Sequence, residues 1–308
     1  MTDQLSSLDR EDTSTVRIYT LPTAVRPGLK LYRRLTGLVW SIVILVLTVV
    51  VLYPLAWMVS ASFKPNSEFG ANLGFFPESP TIENYFTVFE GVGGVPLWVF
   101  FLNSTLLGVG AVIGTVISSS MAAYAFARVP FRGRSGFFAI MIGTLLLPFH
   151  VLIIPQYIIF RNLDMIDTFF PLLIGKFLAV EAFFVFLMVQ FVRSLPRELD
   201  DAARIDGCGH ARIYFSITLP LIKPALITSS IFAFIWSWND FLGPLLYLTS
   251  PGNYPLPLAL RIFNDQTSSS DYGATIAVSV LALLPVLLFF IVFQRFLVEG
   301  VATQGLKG

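Results

Sequence analysis

The sequence predicts an all-α, polytopic membrane protein with six transmembrane helices. Hydrophobic residues make up 55% of the 308 residues, only 13% are charged, and the mean hydropathy is +0.76. A water-soluble domain carries roughly a quarter charged residues, so this composition is suited to lipid. Long charge-free runs also recur along the chain, and a helix needs about 20 apolar residues to cross the hydrocarbon.

Six apolar runs meet this length criterion. In chain order they are residues 37–60, 98–127, 136–159, 168–192, 224–248 and 274–296. The fourth run is interrupted by Lys176 and Glu181, and the fifth carries Asp240. The chain is therefore predicted to consist of a polar tail over residues 1–36, a transmembrane domain over residues 37–298 and a short tail over residues 299–308.

The basic residues of the loops predict the orientation. Of the 20 lysines and arginines, 16 lie in the N-terminal tail, at the C-terminal end (Arg295 and Lys307), in the loop between the second and third runs, and in the loop between the fourth and fifth. The alternate loops hold only Lys64, Arg161 and Arg261. Because cytoplasmic loops are enriched in lysine and arginine, both termini are predicted to be cytoplasmic, in a plasma (inner) membrane protein.

Several functions are excluded by composition and spacing. A net charge of +1 offers no basic surface for nucleic acid. The single cysteine, Cys208, excludes internal disulfides, and with only His150 and His210 as histidines the sequence predicts neither a metal site nor a catalytic set. Gly175-Lys176 is not a nucleotide-binding loop, because Phe170 stands where the first glycine is required and no serine or threonine follows.

A polar insert between the fourth and fifth runs, residues 194–220, has a readable local structure. Ser194 is expected to cap a helix with Pro196 in its first turn. Gly207 can adopt a positive φ, so it is expected to end that helix in a sharp elbow. A second short helix is expected from about His210 to Thr218. An amphipathic helix lying on the membrane surface is the alternative interpretation of the insert.

The residues of this insert resemble the EAA loop of ABC-importer permeases. The pattern is Asp201-Ala202-Ala203, then Asp206-Gly207, then Leu219-Pro220. Asp201 stands where that family usually has glutamate. The resemblance implies a type I importer permease fold in which the insert forms cytoplasmic coupling helices that seat an ATPase subunit. We call residues 194–220 the coupling loop.

Other segments extend the resemblance over about residues 37–308, toward the carbohydrate-importer branch and the smaller permease of the maltose transporter. They are Pro80-Thr81-Ile82-Glu83-Asn84-Tyr85, Asn103-Ser104-Thr105, Leu147-Pro148-Phe149, Ile154-Pro155-Gln156-Tyr157, Trp238-Asn239-Asp240 and Gly305-Leu306-Lys307-Gly308. Asn103-Ser104-Thr105 also matches a glycosylation sequon, but its place at the mouth of an apolar run favours contacts between helices.

The resemblance implies a permease subunit of an ATP-driven, binding-protein-dependent sugar importer. Its partners would be a second permease, two ATPase subunits inside the cell and a solute-binding protein outside. The chain itself would be no enzyme and would hold no cofactor, because ATP and magnesium would be bound by the ATPases. A secondary transporter or channel that works alone on an ion gradient is the alternative, since Lys176, Glu181 and Asp240 could relay protons.

Polar residues within the apolar runs are the candidates for a substrate path. Lys176 and Glu181 lie about 12 and 20 Å into the fourth run, where charges usually face a cavity or a partner. A spacing of five puts them about 140° apart on an ideal helix, so a kink or other partners would be needed for them to pair. Trp236, Trp238, Asn239 and Asp240 form a cluster suited to sugar, because sugars bind aromatic faces and hydrogen-bond to amides and carboxylates. Tryptophan anchoring at the interface is the alternative.

Two further features stay open at this stage. Pro148 and Pro155 are expected to break the third helix, either along a translocation path or as a packing kink. Residues 61–97 and 249–273 are long external loops, the first rich in glutamate and the second in Pro, Gly and Ser. Loops of this length fit either a docking surface for an external partner or a plain connection.

Overall fold

A computed structural model describes residues 27–69, 74–266 and 271–305. The predicted tail up to residue 26, and residues 306–308 of the closing segment, lie outside these ranges. The described residues are mostly helical and contain no strand, only an isolated bridge between Val92 and Val95. The all-α prediction is therefore confirmed for this part of the chain.

Fourteen α-helices follow one another in the described residues. They are α1 (Pro27–Ala61), α2 (Glu83–Glu90), α3 (Leu97–Arg128), α4 (Arg134–Thr144), α5 (Phe149–Asn162), α6 (Phe170–Phe177), α7 (Ala182–Ser194), α8 (Glu198–Ile205), α9 (His210–Ile213), α10 (Leu219–Leu221), α11 (Lys223–Trp238), α12 (Leu242–Tyr247), α13 (Leu256–Gln266) and α14 (Tyr272–Gly305). A π-helical turn, Tyr214–Thr218, joins α9 to α10.

Four helical segments are long and apolar enough to cross a membrane by themselves. They are Leu35–Ala61, Leu97–Arg128, Phe170–Ser194 and Tyr272–Gln294. A fifth is obtained if the pair His210–Leu221 and Lys223–Trp238, bent by 76°, counts as one span. The structure thus supports four or five spans within the described residues, and the count of six remains a prediction.

The difference arises because the third and fifth runs are each divided into short helices, whereas the fourth, although also broken, still counts as one span. The third run is divided into α4 and α5 at Leu145–Pro148, where the amides of residues 145–147 bond three residues back and Pro148 has no amide hydrogen to donate. Pro155 lies inside α5 and does not end it, contrary to the prediction. The fourth run breaks between α6 and α7, and the fifth between α11 and α12.

The chain divides into two compact units, Met1–Leu55 and Ala56–Gly308. The described part of the first unit is one helical segment whose large apolar side chains from Leu35 onward are exposed. Its hydroxyls bond back to the same helix, Ser41 to the Gly37 carbonyl at 2.9 Å and Thr48 to the Ile44 carbonyl at 2.8 Å. A helix that is apolar all round and satisfies its own polar groups is suited to lipid.

The second unit is organised around α3, which packs against α11, α7 and α6. Glycines allow the close approach. A Cβ on Gly108 would lie 2.9 Å from a ring carbon of Phe234 on α11, and one on Gly114 would lie 2.8 Å from the ring of Phe177 on α6. Small residues at such contacts let helix backbones approach closely, which is the main source of helix association in lipid.

Polar contacts attach to the helix ends the loops that the charge bias predicts to be external. The Asn103 side chain, near the outer end of α3, donates to the carbonyls of Gly252 and Tyr254 at 2.9 and 3.0 Å. The Ser104 hydroxyl accepts a bond from the Leu256 amide at 2.8 Å. The expected helix contacts of this segment are therefore confirmed, and they also include the loop that precedes α13.

The first external loop is also ordered by buried polar groups. Lys64 is only 1% exposed, and its amine donates to the Gly74 carbonyl at 2.6 Å. Glu68 accepts bonds from the amides of Glu78 and Ser79 and from the Ser79 hydroxyl. The bond from the Ser79 amide is the largest cause that holds the pKa of Glu68 below its usual value. The described part of this loop is thus a folded element.

Candidate coupling and translocation sites

The first helix of the coupling loop is α8. Its first turn carries Glu198, Asp200 and Asp201, where carboxylates are favoured by the helix dipole. The predicted cap at Ser194 is wrong. Ser194 is the last residue of α7, and its hydroxyl donates to the Phe191 carbonyl at 2.8 Å, so it is already committed to the preceding helix.

The elbow after α8 is a Schellman motif, and the predicted role of Gly207 in it is confirmed. Gly207 has φ +80°, and its amide donates to the Arg204 carbonyl at 3.0 Å. The Cys208 amide donates to the Ala203 carbonyl at 2.9 Å. Both bonds satisfy carbonyls at the end of α8 that would otherwise lack a partner. Nothing lies within 4 Å of a Cβ at Gly207, so the requirement for glycine comes from the backbone conformation alone.

The second part of the coupling loop runs further than predicted. The helix that begins at His210 continues through the π turn and α10, and so includes Leu219 and Pro220. Pro220 is tolerated because it stands in the first turn of α10, where its amide is not needed. The chain then bends by 76° into α11.

The two faces of α8 differ in exposure. Asp200 and Ala203 are buried, whereas Asp201, Ala202 and Asp206 are exposed. Ile205, which the sequence analysis overlooked, is 87% exposed. Asp201 pairs with Arg204 on the same helix at 3.1 Å, and an exposed pair of this kind contributes only about 0–1 kcal/mol. The outward face is thus a small apolar surface, Ala202 and Ile205, bordered by carboxylates.

The inward face of α8 holds a buried ion pair that the sequence analysis also missed. The Nε atom of Arg128, the last residue of α3, lies 3.2 Å from Oδ2 of Asp200. The same guanidinium donates to the carbonyls of Val192 and Leu195 at 2.9 and 2.7 Å. Arg128 therefore joins the end of α3 to the end of α7 and to the start of α8.

Two more side chains of α3 contact the coupling loop. The Tyr124 hydroxyl lies 3.2 Å from Nδ1 of His210, and the Ser120 and Tyr214 hydroxyls lie 2.7 Å apart in a buried hydrogen bond. Ser120, Tyr124 and Arg128 recur every four residues and so lie on one side of α3. We call these three residues the polar stripe. Their spacing of four residues toward the end of α3 is the signal that could have revealed them.

The break in the fourth run brings Lys176 and Glu181 together. Ala179 has φ +53° within the break, and the Lys176 amine donates to the Glu181 carboxylate. Of the two alternatives expected for this pair, a kink or other partners, the structure contains the kink. Ser118 of α3 donates to the Lys176 carbonyl at 2.6 Å and so satisfies one backbone group near the break.

Asp240 lies at the break between α11 and α12. Its Oδ1 atom accepts the Gly243 amide at 3.1 Å, and a Cβ at Gly243 would lie 3.0 Å from the side chain of Leu172 on α6, so this break packs against α6. Asn239 is exposed, and its side-chain amide donates back to the Ile235 carbonyl at 2.8 Å. The structure thus pairs Lys176 with Glu181 across one break and places Asp240 at another, and the flanking helices α6 and α12 pack together.

The two tryptophans of the cluster have different environments. Trp236 is 45% exposed, and its ring packs 5.2 Å from that of Phe183, just after the break. Trp238 is only 3% exposed, stacks on Phe234 in the core and donates its indole N–H to the Ala282 carbonyl at 3.3 Å. Trp238 is therefore a core residue, and its assignment to the substrate path is corrected.

Comparisons with known proteins settle the family. A family model described as binding-protein-dependent transport system inner membrane component matches residues 114–303, over half of the chain. The chain belongs to this family. The permease is 34% identical over 262 residues to the arabinooligosaccharides transport system permease protein AraQ of Halalkalibacterium halodurans, which covers 84% of this chain and 92% of that protein.

Two further matches agree with this assignment. The permease is 32% identical over 279 residues to the diacetylchitobiose uptake system permease protein DasC of Streptomyces coelicolor, covering 90% of this chain and 99% of that protein. It also superposes with a TM-score of 0.74 and 25% identity on a chain of a crystal structure of a bacterial ABC transporter involved in the import of the acidic polysaccharide alginate. That superposition covers 85% of this chain and 96% of the other.

The prediction of an ABC-importer permease related to the carbohydrate branch is confirmed by these matches. They support the ATP-driven, binding-protein-dependent interpretation and give no support to a transporter that works alone on an ion gradient. A permease of this family is a transport subunit and not itself the catalytic one.

Proposed function

We propose that this permease forms one half of the translocation path of a sugar importer in the plasma (inner) membrane, with six spans and both termini in the cytoplasm. A second permease completes the path, two ATPase subunits bind inside, and a solute-binding protein delivers sugar from outside. ATP and magnesium belong to the ATPases. Family membership and the charge bias of the loops support this proposal.

The outward face of α8 is the ATPase-docking surface in this proposal. A shallow apolar patch, Ala202 and Ile205, allows another protein to approach closely, and Asp201 and Asp206 border it with polar contacts. The Schellman elbow at Gly207 sets the direction in which the chain leaves this surface, and the helix through Leu219 and Pro220 leads from it to α11. Apolar anchors with a polar border are the usual composition of a protein interface.

The substrate path in this proposal follows the breaks in the fourth and fifth runs. The observation that carries it is the placement of Lys176, Glu181 and Asp240 at two breaks whose flanking helices, α6 and α12, pack together, with Trp236 and Asn239 exposed. Charges at membrane depth are costly unless they face a cavity or a partner, and broken helices are tolerated where they line one. Trp236 supplies an aromatic face for a sugar ring.

Reconstitution with the partner subunits tests the proposal. The permease is expressed with its second permease, ATPase and binding protein, purified by a tag on the ATPase, and placed in liposomes. Arabinotriose, N,N′-diacetylchitobiose and a galactooligosaccharide serve as first probes. We expect the permease to co-purify with the ATPase and at least one probe to enter only when ATP and the binding protein are present. Uptake without ATP, driven by a proton or sodium gradient, would overturn the proposal.

A further inference from the structure

The polar stripe makes three contacts with three successive parts of the coupling loop. Ser120 contacts Tyr214 at the π turn, Tyr124 contacts His210 at the start of α9, and Arg128 contacts Asp200 in α8. The contact residues follow one another in opposite directions along α3 and along the coupling loop. The coupling loop therefore lies antiparallel along the inner end of α3. Each contact joins polar groups of defined geometry, and apolar packing of Tyr124, Ala203, Ile213 and Tyr214 surrounds them.

The ion pair is the most demanding of the three contacts. Arg128 and Asp200 are both buried, and a buried charge that lacks its partner is strongly unfavourable. The guanidinium also donates to the Val192 carbonyl in α7 and to the Leu195 carbonyl just after it, so two hydrogen bonds hold it besides the ion pair. Separation of α8 from α3 would leave both buried charges without their partner, so it is costly.

The same helix reaches the proposed substrate path. Ser118, two residues before Ser120, bonds to the Lys176 carbonyl at 2.6 Å, and Gly114 packs on Phe177 at the end of α6. α3 thus contacts the coupling loop through the polar stripe and the break in the fourth run through Ser118. No other helix among the described residues makes side-chain hydrogen bonds to both places.

We propose that Ser120, Tyr124 and Arg128 are positioning residues that fix the coupling loop to α3, so that an ATPase bound at α8 moves α3 and the coupling loop as one rigid body. The inference rests on the proposed function, because it concerns how the ATPase acts on the path. Its distinctive consequence is a constant separation between α3 and the coupling loop in every nucleotide state.

The experiment measures that separation in the assembled transporter. In a Cys208→Ser background, spin labels are placed at Leu106→Cys on α3 and Ser216→Cys in the coupling loop, both at exposed positions. Pulsed electron paramagnetic resonance gives the distribution of distances between the two spin labels, without nucleotide and after trapping with ATP and vanadate. We expect one narrow distribution that is the same in both states. A parental distance that changes on trapping would overturn the proposal.

Variants that remove contacts of the polar stripe form the second part of the experiment. Asp200→Asn removes the ion pair and leaves the two carbonyl contacts of Arg128, whereas Tyr124→Phe with Tyr214→Phe removes two hydroxyls and no charge. A neutral hydrogen bond is worth roughly fivefold in an equilibrium constant. Removal of each hydroxyl should therefore raise the population in which the coupling loop is detached from α3 by about that factor. We expect the distribution to broaden on trapping and uptake to fall several-fold, with assembly retained. Asp200→Glu should restore a narrow distribution, and Arg132→Gln, an exposed arginine four residues beyond Arg128, should behave as the parent.

The remaining outcomes are also decisive. If Asp200→Asn is not recovered from the membrane, the double tyrosine variant decides, and a parental distribution in it overturns the inference. If the ATPase does not co-purify with the parent, the proposed function fails, and the positioning role is then judged on the permease alone. In that case broadening in the variants without nucleotide supports attachment of the loop to α3, and unchanged distributions overturn it.

Discussion

Lys176 and Glu181 form an ion pair across the break between α6 and α7, although five residues separate them. On an unbroken helix that spacing would place them about 140° apart. The positive φ of Ala179 redirects the chain between them, and Ser118 of α3 bonds to the Lys176 carbonyl beside the turn. The break and the ion pair therefore depend on each other.

Removal of one residue of the Lys176–Glu181 pair should destabilise the protein more than removal of both. Glu181→Leu or Lys176→Met leaves an unpaired charge at a partly buried place, whereas the double variant leaves none. We expect both single variants to lower the detergent melting temperature more than Lys176→Met with Glu181→Leu does. A double-mutant cycle of melting temperatures gives the coupling. Simple additivity of the single effects would show that the pair is not an energetic unit.

The backbone conformation at Gly207 should matter more for ATPase docking than the charge of Asp201. A residue with a Cβ at φ +80° costs about 1–2 kcal/mol locally, and a branched side chain costs most. We expect Gly207→Val to lower ATPase co-purification and uptake strongly, Gly207→Asn to lower them less, and Asp201→Asn to have the smallest effect. Gly209→Ala is the matched control, because Gly209 has φ −77° and open space around its Cβ position. Parental ATPase retention in Gly207→Val would contradict the assignment of the docking surface.

The two tryptophans should give different phenotypes. Trp236→Ala removes an exposed ring and is expected to reduce uptake by up to about tenfold, the equivalent of one aromatic contact of ~1.5 kcal/mol, with normal thermal stability. Asp240→Asn is expected to impair uptake as well while the complex still assembles. Trp238→Ala empties a core site and should destabilise the fold by about 3–5 kcal/mol. Uptake and melting temperature are measured on each variant, and equal phenotypes for the two tryptophans would reject the distinction.

The external loop at Asp167 should be stable to acid. Burial opposes ionisation of Asp167, but hydrogen bonds from the Ser250 hydroxyl and from the amides of Ser250 and Thr249 outweigh it and hold its pKa below the usual range. The contribution of these bonds to stability is complete above the pKa of an unfolded aspartate, about 3.9, and is lost as pH falls through the lower folded-state value.

We therefore expect Asp167→Asn to lower the melting temperature at pH 7, and the difference from the parent to shrink in acid. The substitution keeps a residue that tolerates the positive φ of this position. Asp164→Asn, at an exposed neighbour that also has a positive φ, is the control and should change little. A deficit of Asp167→Asn that grows with acidity would contradict the assigned role of the carboxylate.

The orientation of the chain can be checked by labelling. Single cysteines replace Glu83 in the first external loop and Arg204 in the coupling loop, in a Cys208→Ser background. A membrane-impermeant maleimide added to intact cells should label position 83 and leave position 204 unlabelled until the membrane is opened. The reverse pattern would refute the topology that the basic residues predict.

Sequence patterns predicted the features that depend on local chemistry. The elbow at Gly207 followed from a glycine after an acidic helix, and the break at Pro148 from a proline in an apolar run. The Ser194 cap failed because the preceding helix ran on and used the hydroxyl, and neighbouring helices cannot be seen from a local pattern.

Features that depend on packing between distant parts of the chain could not be predicted from the sequence. Trp236 and Trp238 are two residues apart in a continuous helix, and only their neighbours decide that one faces outward and the other the core. Arg128 and Asp200 are 72 positions apart. Taken singly, Arg128 was explained as a basic residue flanking the second apolar run, and Asp200 as one of the acidic residues in the first turn of a helix. Contacts of this kind become visible only in three dimensions.

α3 has 32 residues and so extends about 48 Å without a break. Its outer end is bonded to the loop before α13 through Asn103 and Ser104, and its inner end to the coupling loop through the polar stripe. Every other apolar run between the first and the last is interrupted. A tilt imposed at either end of α3 would therefore be transmitted to the other, and in the proposed transporter the binding protein and the ATPases would act on opposite ends of one unbroken helix.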